Sequence, residues 1–272
     1  MRGRVALITG GGTGIGAGVT SSLAAHGADI VLASRRRVHL EPMATEVRDS
    51  GRDVLVCELD VRDRAACDRT VSQTLDRFGR LDILVNNAAG NFLVQASDLS
   101  ERGWRAVVDI VLNGTFNMSQ AVYPALREAG GGSIINITTT YVQTGAPLMA
   151  HSGAAKAGVL NLTRTLAVEW GGDGIRVNAI APGLVEGTEG ARRLAESIGY
   201  VEAYRAQVPL GRLVSIADVA AAAVFLASPA ASHITGIEMT VDGGASLGGH
   251  FKQASEALDS LQRRENAQGD RA

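Results

Sequence analysis

Tyr141, Ser152 and Lys156 are the residues whose types and spacing could do chemistry, and one stretch, Ser133 to Lys156, holds all three. Ile134-Ile135-Asn136-Ile137 reads as a buried strand, with Thr138-Thr139-Thr140 as its end. Tyr141 comes next. A loop punctuated by Gly145 and Pro147 then leads into a small-residue helix carrying Ser152 and Lys156. This spacing puts a phenol at the carboxyl end of a strand and an ammonium one helical turn beyond a hydroxyl. In open α/β sheets, ligands bind outside those strand ends. A lysine near a tyrosine favours the phenolate, so a lowered Tyr141 pKa is expected, useful in acid/base or polarising chemistry.

Composition singles out Lys156. Of 26 Lys+Arg, only Lys156 and Lys252 are lysines. A lysine kept between Ala155 and Ala157 points to a need for a compact, tunable ammonium that arginine cannot supply.

The elements that must position these groups form a regular series. Arg4 to Ile8 is a short apolar run of the buried parallel-strand kind. It feeds Thr9-Gly10-Gly11-Gly12-Thr13-Gly14-Ile15-Gly16 and a helix over 17–26. Glycines between a strand and a helix let the backbone approach a phosphate, and the helix N-terminus supplies free N–H groups. Gly10, Thr13, Gly14, Ile15 and Gly16 are therefore candidate dinucleotide contacts. The second strand, 29–33, ends in Ser34-Arg35-Arg36-Arg37. NAD-binding folds tend to place an acid there for the ribose 2′-hydroxyl. Ser34 and Arg35 suit a 2′-phosphate instead, so NADP(H) is expected over NAD(H). Arg36 and Arg37 read as a solvated helix start.

A helix over 40–50 precedes a third strand, 54–58. Beyond it come Asp60 and Val61, with Asp60 either contacting an adenine amino group or capping the next helix, 64–78. The fourth strand, 81–85, closes on Asn86-Asn87-Ala88-Ala89-Gly90. Asn87, Ala88 and Ala89 would allow close approach to a ribose or nicotinamide, and the amides could also satisfy strand-end carbonyls. A long amphipathic helix is expected over 100–127. Its internal Asn113-Gly114 is poor helix sequence and predicts a kink with a functional reason. After the opening stretch come a helix over 155–170 and a strand over 175–180. Pro182, Gly183 and Val185 leave that strand at the same sheet edge. Residues 187–207 read as a lid or substrate loop with one or two helices. A helix over 215–227 and a last strand, 238–241, complete the series.

Strands alternating with helices argue for a single α/β domain: a doubly wound parallel Rossmann sheet of about seven strands with helices on both faces. The expected domain is 1–249, with 250–272 a polar C-terminal tail. The formal charge of −2 implies neither a nucleic-acid partner nor an anionic membrane surface. Cys57 and Cys67 offer no disulfide framework and no metal-ligand cluster, so no metal is expected. No signal peptide, membrane span or SKL-type terminus is read, so a cytoplasmic location is expected.

With these motifs placed, the chain resembles the short-chain dehydrogenase/reductases. The resemblance rests on Thr9-Gly10…Gly14-Ile15-Gly16, Asn86-Asn87-Ala88-Ala89-Gly90, Asn113, Lys156, Pro182-Gly183 and Asp242-Gly243-Gly244. One departure is large. The usual pattern has tyrosine four residues before the active-site lysine, and here that residue is Ser152. A branch of the family, the NADPH-dependent 2,4-dienoyl-CoA reductases of mitochondrial and peroxisomal type, places the tyrosine fifteen residues before the lysine. Tyr141 stands at that position (156 − 141 = 15). Asn87 to Phe92, Asp109 to Thr115, Ile137 to Tyr141 and Ser152 to Val159 also resemble that branch, and Gly187-Thr188-Glu189-Gly190 resembles its peroxisomal variety.

The resemblance implies hydride delivery from NADPH to the δ-carbon of a dienoyl thioester. Tyr141 and Asn113 would stabilise the dienolate oxygen, and protonation at the α-carbon, by water, would give the 3-enoyl product. Lys156 would hold the nicotinamide ribose, and Ser152 would bond the carboxamide or orient a neighbour. It also implies homo-oligomers, tetramer or dimer, pairing through the helices near 100–127 and 155–170. Three alternatives stay open: a ketoreductase, another enoyl reductase of secondary metabolism, and a silent NADP(H)-binding protein. His151 could be a proton donor or a packed neighbour. Arg192 and Arg193 could meet a CoA phosphate or face solvent.

Overall fold

The computed structural model describes residues 1–247; the expected polar tail, 250–272, lies outside them. Seven parallel strands form one sheet: β1 (Val5–Thr9), β2 (Asp29–Ser34), β3 (Val54–Glu58), β4 (Ile83–Asn86), β5 (Gly132–Ile137), β6 (Ile175–Pro182) and β7 (Glu238–Val241). Their order is β3-β2-β1-β4-β5-β6-β7. All pairs are parallel, with Ala6 opposite both Ile30 and Ile83. The chain winds outward one way from β1 and the other way from β4, so their carboxyl ends flank the topological switch point where such sheets open a crevice.

The strands are near-continuous apolar runs because both faces are covered. One face buries Ile8, Ile30, Leu32, Val85 and Ile135 under α1 (Gly14–Ala25), α2 (Glu41–Asp49) and α10 (Ile216–Ala227). The other buries Leu7, Val31, Leu84, Ile134 and Val177 under α3 (Arg64–Phe78), α5 (Gly114–Glu128) and α7 (Ala150–Trp170). Asp63 caps α3 by accepting from the Ala66 N–H, and α10 starts with a capping box, Ser215 with Asp218. Among the described residues no helix is long and apolar enough to cross a membrane.

Two expectations are corrected and one is refined. The helix expected over 100–127 is helical throughout, but α4 (Glu101–Val108) passes through a π-helical turn, Asp109–Asn113, into α5. Gly114 stands at that junction because a Cβ there would come within 2.5 Å of Val61 Cγ2. The kink expected from Asn113-Gly114 is thus a π-turn packed on the segment that leaves β3. The helix carrying Lys156 starts earlier than 155, at Ala150, so Ser152 and Lys156 share it one turn apart. Tyr141 follows the strand end as expected, but it opens a single helical turn, α6 (Tyr141–Thr144), where a loop was expected.

Gly114→Ala should destabilise the fold by about 1–2 kcal/mol, overpacking against Val61 outweighing the gain in helix propensity. Urea denaturation measures it; an unchanged or higher midpoint would remove the packing account of the π-turn.

Candidate functional site

A cavity of about 820 Å³ opens at the carboxyl ends of β1, β4, β5 and β6. Its lining includes Tyr141, Ser152 and Lys156, as well as Ile15, Asn87, Ala89, Pro182, Gly183 and Val185. The sequence candidates from five separate segments therefore meet in one place.

Of the glycine loop between β1 and α1, Ile15 lines this cavity and the glycines lie beside it. Gly10 has φ of +66°, which a side chain would strain. A Cβ on Gly16 would run into the Gly10 carbonyl oxygen. Thr13 precedes the first turn of α1, whose cap receives no side-chain hydrogen bond. Free N–H groups there and a backbone kept open by glycine suit the phosphates of a dinucleotide. Asn87 braces the loop: its Nδ2 donates to the carbonyls of Thr9 (3.0 Å) and Gly10 (3.2 Å). Thr9 Oγ1 accepts from the N–H groups of Asn87 and Ala88, each at 3.0 Å. The strand-end role considered for the amides is thus filled by Asn87.

At the outer end, Ser34 Oγ donates to the Arg36 carbonyl and Arg35 is exposed. Asp60 does not cap α3, since Asp63 does. It grips Arg62 through both carboxylate oxygens, at 2.9 and 2.5 Å, and this hydrogen-bonded guanidinium holds its pKa below the usual range. Val61 is buried against Gly114.

The reactive end is built by α6 and α7. Tyr141 Oη and Ser152 Oγ are 2.8 Å apart. Thr139 and Asn91 stand near the same phenol and favour its charged form, while the Asn91 amide donates to Met149 Sδ at 3.3 Å and its oxygen accepts from the Phe92 N–H at 2.8 Å. Burial pushes the Tyr141 pKa up, and these three neighbours only partly oppose that. The lowered phenol pKa expected from Lys156 is therefore corrected: removal from water outweighs every favourable neighbour. Lys156 points elsewhere. Its Nζ donates to the Ile137 carbonyl at the end of β5. Burial without a counter-charge pushes the ammonium down to about 8.

Asn113 is placed apart from this group. It is exposed, its Nδ2 donates to Asp109 Oδ1 at 2.9 Å, and it does not line the cavity. Asn91 does line it. Asn91 sits in the Asn87–Phe92 stretch that carried the resemblance, but nothing in the sequence chose between two asparagines before the loop was folded. Thr139, Leu148 and Tyr204 are also cavity residues that the sequence left unassigned. Leu148 holds φ of +65°, costly for a side chain, so the surrounding loop constrains it. Tyr204 comes from the 187–207 segment, which holds α8 (Glu189–Leu194) and α9 (Val201–Gln207), in keeping with the one or two helices expected there. Its hydroxyl accepts from the Leu184 N–H at 3.3 Å.

His151 is fully buried, accepts the Ser152 N–H at Nδ1 (2.8 Å) and packs edge-on to Phe92. It is absent from the cavity lining. The geometry is that of a packed, hydrogen-bonded neighbour. Arg192 and Arg193 both pair with Glu189 on an exposed face of α8.

The family described as enoyl-(acyl carrier protein) reductase matches residues 10–246. The chain belongs to the short-chain dehydrogenase/reductase family. It is 44% identical over 245 residues to a peroxisomal 2,4-dienoyl-CoA reductase, (3E)-enoyl-CoA-producing, of Danio rerio, covering 90% of this chain and 82% of that one. It is 44% identical over 246 residues to a probable 2,4-dienoyl-CoA reductase, (2E)-enoyl-CoA-producing, of Bacillus subtilis, covering 90% and 97%. Among solved structures, a 3-ketoacyl-(acyl-carrier-protein) reductase from Brucella melitensis, complexed with NADH, superimposes with a TM-score of 0.84 at 33% identity, covering 90% of this chain and 99% of that one. As a family member this chain is an oxidoreductase that takes a nicotinamide cofactor. The residues fit such a group: the open backbone of the glycine loop suits the phosphates, and the buried Lys156 offers an ammonium with no counter-charge beside it.

The Lys156 environment has a measurable cost. The unfolded chain holds this proton up to about pH 10.5, and the ligand-free folded chain only to about pH 8. Between those values the unfolded state binds more protons, so this group makes stability rise with pH. At pH 7 the penalty is on the order of 3 kcal/mol, at about 1.4 kcal/mol per pKa unit. Lys156→Met should therefore be more stable than the parent chain at pH 7 in the absence of cofactor, by an amount that shrinks from pH 8 to 10.5. Urea denaturation of both proteins across that range checks it; a less stable variant at pH 7 would contradict it.

Proposed function

We propose that this chain reduces a conjugated 2,4-dienoyl-CoA thioester with NADPH. The observation that carries the reading is the Tyr141–Ser152 hydrogen bond inside the cavity, with Asn91 and Thr139 standing near the same phenol. A carbonyl reductase must give a proton to the oxygen that receives negative charge. A dienoyl reductase need only stabilise that charge until carbon is protonated. A phenol with a raised pKa, oriented by neutral partners, suits the second task.

The reduced nicotinamide supplies the hydride when bound. Addition at the δ-carbon moves the electron pairs along the diene, and the thioester oxygen becomes a dienolate oxygen. Tyr141 donates a hydrogen bond to it. The partner role expected of Asn113 passes in this proposal to Asn91, whose amide lines the cavity. Ser152 donates to the Tyr141 oxygen, which leaves the phenol's one proton for the dienolate and fixes its direction. Lys156, desolvated and tied to the Ile137 carbonyl, presents its remaining N–H donors to a ribose. A proton from water at the α-carbon completes a 3-enoyl thioester.

The preference for NADPH rests on Ser34 and exposed Arg35 at the end of β2, a strand end that carries no acid of its own. The substrate face is supported by the apolar wall of Leu148, Met149, Leu194 and Ile198, which suits an acyl chain. Association into a dimer or tetramer through α4–α5 and α7 is proposed too, since Trp104, Phe116 and Val168 stand exposed there.

With 2,4-dienoyl-CoA and NADPH, Tyr141→Phe and Asn91→Ala should each lower kcat by about 100- to 1,000-fold while both proteins still bind NADPH, as followed by absorbance and by nucleotide fluorescence. Asn113→Ala should lose less than either. Turnover of a 3-ketoacyl thioester alone would make this a carbonyl reductase instead. Arg35→Ala should lower kcat/KM for NADPH by about 10- to 100-fold and leave that for NADH nearly unchanged; equal losses with both nucleotides would remove the 2′-phosphate assignment.

A further inference from the structure

A second cavity, of about 620 Å³, lies at the opposite edge of the sheet, among the amino ends of the strands. Three guanidiniums line it: Arg4 just before β1, Arg80 just before β4, and Arg176 at the start of β6. Asp82 is the one carboxylate in its lining. That acid is already committed. Arg80 takes both its oxygens, at 2.6 and 2.9 Å, and the Val5 N–H donates to it at 2.9 Å.

Arg4 and Arg176 are left with backbone carbonyls at long range. Arg4 donates to Ala227 O at 3.3 Å, and Arg176 to Ile234 O and Ser228 O at 3.4 Å each. Among the described residues neither has a carboxylate within ion-pair distance. Burial, and after it the charge of Arg4, hold the Arg176 guanidinium below its usual pKa. Two like charges thus share a partly desolvated hollow in a chain whose formal net charge is −2. Ser232 and His233 add further polar groups at its rim.

We propose that this cavity is an anion site for a phosphate-bearing small molecule, held by Arg4 and Arg176 and separate from the dinucleotide site. Guanidinium forks match the paired oxygens of phosphate, and a dianion offsets both charges where a single carboxylate offsets one. The volume leaves room for a group larger than orthophosphate, so pyrophosphate is the probe of choice.

The test is calorimetric titration of pyrophosphate into the full chain at constant ionic strength, with the nicotinamide dinucleotide present at saturation to fill the glycine-loop site. The parent chain should bind pyrophosphate. Arg4→Met and Arg176→Met should each weaken that binding at least tenfold, and Arg69→Met, at an exposed arginine outside both cavities, should leave it unchanged. Arg176 also ties down two carbonyls; if its variant does not fold, Arg4→Met, verified by circular dichroism, decides alone. No binding by the parent chain, binding unaltered by Arg4→Met, or a loss that follows Arg69→Met would overturn the proposal.

Discussion

The site depends on a positive charge taken out of water. Lys156 lies on α7, is buried, and has the Ile137 carbonyl as its hydrogen-bond partner. An uncompensated buried ammonium is costly, so the fold holds it only by packing α7 firmly on the sheet. That packing also fixes Ser152 one turn earlier, and Ser152 fixes Tyr141 at 2.8 Å. The direction of the phenol follows from where the ammonium is buried. A destabilised group that a ligand can relieve is typical of functional sites.

The carboxyl edge of the sheet collects the remaining groups for a topological reason. Parallel strands joined by crossover helices put every β-to-α loop on one edge. The glycine loop after β1, Asn87 after β4, the Thr139–Tyr141 segment after β5 and Pro182-Gly183 after β6 therefore converge without any of them being near in sequence. Asn87 shows the coupling most directly. One amide joins the β4 end to the loop that would hold phosphate, so the two cannot shift independently.

Much of this was legible in the sequence because parallel strands and glycine-bounded helices leave local marks. The span of α3 and the limits of β7 follow from such marks, and so does the grouping of Tyr141, Ser152 and Lys156. What was not legible depended on distance in three dimensions. The Tyr141 pKa moves up instead of down because burial, invisible to spacing, outweighs a lysine that turns toward a carbonyl. The resemblance implies Asn113 at the oxygen, and only the folded π-turn shows it exposed and paired with Asp109. Asn91 sits in a loop whose path no periodicity predicts. Asp60 stands as a possible cap of α3 in sequence, and the folded backbone gives that role to Asp63 instead.

The central claim is that the phenol stabilises an oxyanion while carbon takes the proton. The most direct test is reduction of 2,4-dienoyl-CoA with NADPH deuterated at the transferable position, with the product identified by NMR. The account predicts a 3-enoyl thioester carrying deuterium at the δ-carbon and a solvent proton at the α-carbon. A 2-enoyl thioester, or a product with the carbonyl itself reduced, would contradict it.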